Sequence, residues 1–228
     1  VKAFVEGCKK NGIVPGLYYC LLEGYANSVP LNQQWERRMM ADDAFELAKA
    51  QLNELAANYP DCHYFWIDIP GTASVEQQAA LYDMLRRKHP ENIVLLNGHQ
   101  AAVAKTGQLD LLERSRKIFY ASDILNTEVG AGAPPVGIVS KTQKWGDKTV
   151  YLGYEHCDIA GHNWFNTQGV KKVDDIFAVY ERTRKAGGNL LLNIGPPKSG
   201  VIAPAFRDTL LQLKEKIEAF EKSGQAGK

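Results

Sequence analysis

The sequence has few cysteines, no long apolar run and almost no net charge, and each absence excludes a class of protein. The four cysteines are far apart and form no C-x-x-C pair, which predicts packed thiols rather than disulfides or a zinc site. No apolar run approaches the roughly 18 residues that cross a bilayer. A formal charge of +1 in 228 residues provides no basic face for nucleic acid. The expectation is a soluble globular chain that binds neither DNA nor membrane.

Segments with helical spacing alternate with short apolar segments, which predicts an α/β protein. Helices are predicted at residues 1–10, 43–58, 74–88, 109–116, 173–185 and 204–220. Asn11-Gly12 is predicted to end the first helix, and Ser74 with Gln77 to form a capping box at the start of the third. The predicted apolar faces are Ala44, Leu47, Ala48, Leu52 and Leu55 on the second helix and Phe206, Leu210, Leu213, Ile217 and Phe220 on the last. Strands are predicted at residues 13–20, 64–69, 93–96, 117–121, 149–154 and 190–194. Continuous apolar strands indicate a parallel sheet covered on both faces. Residues 122–146 are rich in turn formers and are predicted to be a long loop over the site, or a linker.

Six such strands fit either a doubly wound sheet or a (β/α) barrel. No G-x-G-x-x-G follows the first strand, and no G-x-x-x-x-G-K-[ST] occurs anywhere. Polar residues instead cluster at predicted strand ends: Tyr18, Tyr19, Asp68, Asn97, Asp123, Glu155 and Asn193. A barrel places its catalytic groups at the carboxyl ends of its strands. The pattern therefore favours a (β/α) barrel, and residues 223–228 are predicted to be a flexible tail.

Asp68 closes a strand that is otherwise apolar, residues 64–68. A carboxylate in that position is costly unless it has partners. It is therefore either a helix cap or buried ion pair, or else a nucleophile or acid at the mouth of the barrel. Trp66 lies two positions earlier and points to the same side of the strand. An indole beside a carboxylate favours the second interpretation, because it can support the apolar face of a sugar.

Four ordered segments resemble glycoside hydrolase family 29, the α-L-fucosidases. They are residues 8–13 with 16–19, residues 52–59 with 65–68, residues 154–157 with 163–166, and residues 188–196 with Gly200 and Ile202. The last resembles the signature of the family's final strand. The second resembles its fourth barrel strand, whose closing Asp is the family's nucleophile. Together the segments span nearly the whole chain.

The resemblance implies a retaining exo-α-L-fucosidase that needs no cofactor and acts on fucosylated oligosaccharides or glycoconjugates. Asp68 would attack the anomeric carbon, and water would then hydrolyse the covalent fucosyl-enzyme. Such chemistry needs a second carboxyl about 5 to 5.5 Å away. Residues 125–128 resemble the loop that carries this group in many members, which makes Glu128 the predicted acid/base. The alternatives are Glu155, Glu113 and Asp123.

The remaining predicted site residues are substrate-binding: Tyr18, Tyr19, Trp66, His99, Glu155, His156 and Trp164. Only one of the adjacent tyrosines should face the site, because side chains alternate along a strand. Trp164 is either a lid on the fucose methyl group or a buried aromatic. His156 and His162 are expected to bond sugar hydroxyls. No metal is expected, since no H-x-H or H-E-x-x-H pair occurs.

The chain also departs from the family pattern. Members begin with two β/α units that supply an early histidine and a His-His pair, whereas Val1 falls in the predicted helix before strand three. The resemblance thus implies a (β/α)8-type TIM barrel over residues 1–222, truncated to about six β/α units that correspond to strands three to eight of the family barrel, with about a quarter of the barrel missing. Residues 97–100 stand where members often have an arginine, and His99 is the predicted replacement. Six strands would leave two open edges, which predicts a homo-oligomer or a complementing amino-terminal segment.

Three functions are compatible with this pattern. The first is the exo-acting fucosidase. The second is a catalytically impaired, fucose- or glycan-binding remnant of the barrel. The third is another barrel hydrolase or lyase that uses Asp68 and Glu128. The resemblance favours a secreted or periplasmic location, although the visible chain contains no signal peptide.

Overall fold

The computed structural model describes residues 1–21, 40–97, 122–128, 141–145, 148–162, 164, 169–195 and 197–224. Within those ranges the helices are α1 (Lys2–Lys10), α2 (Asp42–Asn58), α3 (Val75–Lys88), α4 (Val173–Lys185) and α5 (Pro204–Lys222). The strands are β1 (Gly16–Cys20), β2 (Tyr64–Asp68), β3 (Ile93–Asn97), β4 (Ile124–Glu128), β5 (Lys141–Trp145), β6 (Lys148–Ile159) and β7 (Asn189–Asn193). A short 3-10 helix covers Pro70–Thr72. Within the same ranges, none of the helices has the length and apolar character that a membrane span requires.

The described residues divide into two compact units. The first contains residues 1–97, 122–125 and 142–152, and the second contains residues 126–128, 141 and 153–224, with the gaps given above. Each unit is built from strands and the helices that cover them. The α/β class that the sequence predicts is therefore confirmed, and parallel pairing is found for β1–β2, β2–β3 and β6–β7. Strands β5 and β6 are neighbours joined by only two residues, a connection too short for parallel strands, so the second sheet is not wholly parallel. The described strands form two sheets of three and four strands, and a closed barrel is not found among them.

The first sheet has the order β1-β2-β3, and all its strands are parallel. Asp68, the last residue of β2, is the register partner of Cys20 on β1 and of Asn97 on β3. Two residues before Asp68, Trp66 on β2 is the register partner of Tyr18 on β1. Because the carboxyl ends of parallel strands meet at one edge of a sheet, this register brings polar strand ends together.

A hydrophobic core packs α2 and α3 against this sheet. Its members include Leu52, Phe65, Leu81 and Leu85, all fully buried. Burying each such side chain stabilises the fold by about 1.5–3 kcal/mol. The face predicted for α2 is correct except at Leu47, which is half exposed.

The interactions at the helix ends are those that the sequence predicts. Ser74 Oγ accepts the Gln77 backbone N–H at 3.2 Å, and Gln77 Oε1 accepts the Ser74 N–H at 2.9 Å. This is the predicted capping box at the start of α3. At the end of α1, Gly12 adopts the left-handed conformation at φ 67, as the predicted Asn11-Gly12 stop requires.

The second sheet has the order β4-β6-β5, with β7 parallel to β6. Helices α4 and α5 share a second core with it, in which Ile176, Phe206 and Leu213 are buried. The apolar face predicted for α5 is confirmed, because Phe206, Leu213 and Phe220 are buried and its other members pack against the core. The bounds predicted for α4 are also correct.

The predicted long loop at residues 122–146 is wrong, because it contains β4 and β5. Both strands lie in the sheet that contains β6, and such pairing outweighs the turn propensity of a residue like Asn126. The first strand begins at Gly16 rather than residue 13, and β6 extends to Ile159 instead of ending at residue 154. The helix predicted at 109–116 and the strand predicted at 117–121 lie outside the described residues. All four cysteines lie among the described residues, and none of them forms a disulfide.

Candidate active site

The Asp68 carboxylate is surrounded by hydrogen-bond donors. Its Oδ2 accepts from Tyr18 Oη at 2.7 Å, and its Oδ1 accepts from Asn97 Nδ2 at 2.8 Å and from the Ile69 backbone N–H at 2.9 Å. Three donors on the two acceptor oxygens fix the orientation of this side chain. Among the described residues, no basic side chain forms an ion pair with it. The ion-pair interpretation of Asp68 therefore finds no support in this part of the chain.

Two aromatic rings stand beside this carboxylate. Tyr18 and Trp66 stack with ring centroids 5.5 Å apart and an interplanar angle of 26°. Trp66 is 7% exposed and Tyr18 is 61% exposed, so the ring that presents open aromatic surface is that of Tyr18. Tyr19 points the other way into the core, where its hydroxyl donates to Gln51 Oε1 at 2.5 Å. The alternation along β1 thus assigns Tyr18 to Asp68 and Tyr19 to the core.

The Tyr18 hydroxyl is held in its protonated form. Burial and then the hydrogen bond to the Asp68 carboxylate raise the pKa of Tyr18 above its ordinary value of 10.0. Both causes disfavour the phenolate, which would face a negative oxygen at 2.7 Å. Tyr18 therefore acts as a donor to Asp68 throughout the neutral pH range.

Sequence reasoning missed two residues of this cluster, Asn97 and Ile69. Asn97 was noted only as a polar strand end, but parallel pairing alone would have placed it next to Asp68. Ile69 has a left-handed backbone, with φ 52 and ψ 46. Nothing in the sequence signals this, because a residue before proline favours extended conformations.

The second unit contains a buried polar chain that includes a predicted sugar ligand. Thr127 Oγ1 lies 2.5 Å from Tyr154 Oη and 2.8 Å from His156 Nδ1. All three residues are buried. Burial, reinforced by the positive charges of Arg182 and Lys171, lowers the pKa of His156 below 6.5 against the opposing effect of Asp158. His156 is therefore a neutral, enclosed imidazole.

The two acid/base candidates of the second unit share one face of its sheet. Thr127 contacts His156, so these side chains occupy the same face. Their strand neighbours Glu128 and Glu155 consequently point to the opposite face. Glu155 is buried and accepts from Asn189 Nδ2 at 3.5 Å, whereas Glu128 is partly exposed. Glu155 lies inside β6 and not at its carboxyl end, which corrects the placement predicted from the sequence.

Asp123 immediately precedes β4, and the strand predicted before it, at residues 117–121, lies outside the described residues. Its carboxylate accepts from Tyr82 Oη at 2.5 Å and from the Val94 N–H at 2.8 Å, and Arg86 Nη1 lies 3.7 Å away. Burial raises the pKa of Asp123 above its ordinary value, while these partners oppose the rise. The carboxylate thus ties α3 to β3, which is a structural role.

The structure describes only some of the remaining predicted site residues. The partly buried Trp164 accepts a hydrogen bond at its backbone oxygen from Asn193 Nδ2, 2.9 Å away at the end of β7. His162 is exposed. His99 and Glu113 lie outside the described residues. Within the described ranges, no three His, Cys, Asp or Glu side chains come together as metal ligands.

The family model described as alpha-L-fucosidase matches residues 1–219. This chain belongs to the alpha-L-fucosidase family. Members of this family are glycoside hydrolases. The match extends through both compact units, so the cluster around Asp68 and the face that carries Glu128 and Glu155 both fall within the fucosidase-like region. No curated protein matches the chain in sequence.

Solved fucosidases have the same fold. Alpha-L-fucosidase isoenzyme 1 from Paenibacillus thiaminolyticus is similar with a TM-score of 0.70 at 18% identity, covering 96% of this chain and 52% of that chain. A fucosidase from Bacteroides thetaiotaomicron is similar with a TM-score of 0.68 at 18% identity, and the alignment covers 95% of this chain and 48% of that chain. The α-L-fucosidase from Lactobacillus casei, solved in complex with the α-L-fucose product, is similar with a TM-score of 0.64 at 19% identity. The alignment covers 96% of this chain and 64% of that chain. The fucosidase-like chain therefore spans between about half and 64% of the length of these structures.

Proposed function

We propose that this chain is the nucleophile-bearing part of a retaining exo-α-L-fucosidase and that Asp68 is the nucleophile. The observation that carries the proposal is the Asp68 carboxylate itself, held by three donors at the carboxyl edge of a parallel sheet. Membership of the fucosidase family supplies the substrate class, terminal α-L-fucose on a glycan. Barrel enzymes carry their catalytic groups at this edge of the strands.

The proposed reaction is a double displacement. A lone pair of the Asp68 carboxylate attacks the anomeric carbon while the bond from that carbon to the aglycone oxygen breaks. The departing oxygen keeps the bonding electrons and takes a proton from the acid/base, for which we propose Glu128. Water then attacks the same carbon and returns a proton to the acid/base, and the carboxylate leaves with its electron pair. Two inversions release fucose with retained configuration.

The other predicted residues have proposed roles in holding the sugar. Tyr18 binds Asp68 and offers an exposed ring, which suits contact with an apolar sugar face. Trp66 supports that ring from below by stacking. We assign contacts with the sugar to His99, Glu155 and Trp164 as well. The enclosure of His156 favours an indirect role for it, through Thr127.

The proposal extends to the architecture. Residues 1–222 are proposed to form a (β/α)8-type TIM barrel truncated to about six β/α units, followed by a tail at residues 223–228. Similarity in fold to solved fucosidases, at TM-scores between 0.64 and 0.70, supports this assignment. The parallel pairing of β1–β2, β2–β3 and β6–β7 is also what a (β/α) barrel requires.

Trapping the intermediate tests the proposed function directly. A fluorinated fucosyl donor slows both steps and, with a good leaving group, lets the covalent adduct accumulate. We expect the label on the peptide that contains Asp68, read by mass spectrometry after proteolysis, and no label in Asp68→Asn. A label on a peptide that contains Asp123 or Glu155 contradicts the assignment. A chain that binds fucose but takes no label favours the alternative, a glycan-binding remnant without turnover.

The edge of the first sheet predicts association between chains. Among the described residues β1 pairs only with β2, and Phe4, Ile13 and Val14 near this edge are more than half exposed. An open strand edge with apolar neighbours tends to pair with another chain. We propose that a second copy of this chain covers this edge when the chain is isolated; the alternative cover is a complementing amino-terminal segment.

Light scattering on a size-exclusion column measures this association. The isolated chain of 25.3 kDa is expected to elute at about twice that mass, as a homodimer. Val14→Lys should shift the equilibrium toward monomer, because it places a charge beside the strand edge. Leu211→Lys, at an equally apolar and exposed position on α5, is the matched control and should leave the mass unchanged. A monodisperse wild-type monomer would refute the proposed pairing.

A further inference from the structure

Ile69, the residue after Asp68, has a backbone conformation that its side chain disfavours. In the described part of the chain it is the one non-glycine residue with positive φ, at φ 52 and ψ 46. A β-branched side chain in this region is a true outlier, because it clashes with the adjacent backbone. Such strain persists only where the surrounding structure imposes it, and it is concentrated at functional sites.

Hydrogen bonds on both sides of Ile69 impose this conformation. Its carbonyl oxygen accepts from Thr72 twice, from the backbone N–H at 3.2 Å and from Oγ1 at 3.0 Å, and Thr72 is buried. The preceding carbonyl, that of Asp68, accepts the Leu21 N–H at 3.1 Å. Pro70 adds a fixed φ at the first position of the 3-10 helix. The peptide unit between Asp68 and Ile69 is therefore held from both ends.

The Ile69 N–H points back to the side chain of the preceding residue. That N–H donates to Asp68 Oδ1 at 2.9 Å, and Asn97 Nδ2 donates to the same oxygen at 2.8 Å. Asn97 is 6% exposed, so Oδ1 is bound on the protein side. The other oxygen, Oδ2, accepts a hydrogen bond from the hydroxyl of the exposed Tyr18. The two carboxylate oxygens thus have different environments, one anchored and one facing outward.

We propose that Ile69 is a positioning residue for the reaction: with Asn97 it anchors Asp68 Oδ1 and leaves Oδ2 as the oxygen that bonds to the anomeric carbon. This inference rests on the proposed function. In the glycosylation step a lone pair of Oδ2 forms the new bond, the aglycone oxygen leaves with the electrons of the broken bond, and the acid protonates it. In the second step Oδ2 recovers its electron pair as water adds.

Isoleucine suits this task better than glycine would. Glycine reaches positive φ without strain but also populates many other conformations, so the direction of its N–H is less defined. Alignment of the attacking atom affects rate strongly, because a displacement of about 1 Å lowers it by as much as about 100-fold. Asparagine tolerates the left-handed region and is more restricted than glycine.

Three variants test this role. Ile69→Gly is expected to lower kcat for nitrophenyl α-L-fucoside by about 10-fold with KM changed less than about twofold, and to melt no earlier than wild type. Ile69→Asn should keep kcat within about twofold, because it adopts the same backbone. Val201→Gly, in an exposed loop of the second unit, controls for the general effect of a glycine. Wild-type kcat in Ile69→Gly, or a lower melting temperature that parallels the lost activity, overturns the inference.

A double-mutant cycle with Asn97→Ala tests the shared oxygen. Each donor alone still restrains Oδ1, so the double variant should lose more kcat than the product of the single losses. Strictly multiplicative losses would mean that the residues do not act on one oxygen, and would overturn the inference.

Hydrogen exchange of the residue-69 amide, followed by NMR, separates this inference from the proposed function. We expect protection in wild type and Ile69→Asn and faster exchange in Ile69→Gly, since the N–H is held by Asp68. An unprotected wild-type amide overturns the positioning role even in an active enzyme. A protected amide in a chain that cannot hydrolyse fucosides supports the anchored oxygen and refutes only the fucosidase proposal.

Discussion

Asp68→Gly is expected to lower kcat/KM for nitrophenyl α-L-fucoside by about a thousandfold or more, because it removes the nucleophile and with it the covalent route. Glycine also leaves a space the size of the carboxylate between Tyr18 and Asn97, whose donors lose their common acceptor. Loss of activity with little change in melting temperature is expected, since Asp68 lies at a strand end and is only partly buried.

Azide distinguishes a lost nucleophile from a damaged fold. A small anion that enters the space left by the carboxylate attacks the anomeric carbon once, so activity should recover in part and the fucosyl azide should have inverted configuration. Asp123→Asn is the matched control, because it removes a more deeply buried carboxylate that binds Tyr82 and Val94. It should lower stability while leaving kcat near wild type. Substantial activity in Asp68→Gly without azide would contradict the proposed nucleophile.

Glu128→Gln is expected to lower kcat/KM for a fucosylated oligosaccharide by about 100-fold to 10,000-fold, the usual contribution of general acid catalysis. The effect on nitrophenyl α-L-fucoside should be much smaller in the first step, because nitrophenolate leaves without a proton. The comparison of the two substrates therefore reports the acid role separately from substrate binding. Rates for both are measured by release of fucose.

Glu155→Gln provides the matched comparison for Glu128, because both carboxylates lie on the same face of the second sheet. Glu155 is buried and bonded to Asn189, so its loss should raise KM or lower stability without dependence on the leaving group. With azide, an acid/base variant yields a fucosyl azide of retained configuration, since the covalent step on Asp68 is intact. If Glu155→Gln shows the leaving-group dependence and Glu128→Gln does not, the acid/base is Glu155.

Much of the fold could be predicted because the signals are local. The ends of α3 and α4 follow from caps and apolar spacing, and these depend on residues within a few positions of each other. The strand that ends at Asp68 was recognised because its apolar run stops abruptly at a charged residue. The strands β4 and β5 were missed, since their sequences carry turn-like or charged residues and their pairing is with distant parts of the chain.

The sequence pointed to Asp68, the central residue of the candidate site, but not to the residues that hold it. Asp68 is conspicuous in the sequence because a carboxylate at the end of an apolar strand is costly without a purpose. Asp123 is equally charged, yet its neighbours Tyr82 and Val94 come from other elements, so its structural role is visible only in three dimensions. His156 is a similar case, because no spacing pattern in the sequence indicates that it packs against Thr127.

By itself the sequence determined the α/β class, the helix ends, the family and the choice of Asp68, because each of these depends on residue type and short-range order. The tertiary structure alone decided which tyrosine of the pair meets Asp68, that Asn97 and the strained Ile69 hold one of its oxygens, and which face carries Glu128 and Glu155. These relations come from strand register and backbone conformation. Both are set by packing between segments that are distant in the chain, so no local pattern encodes them.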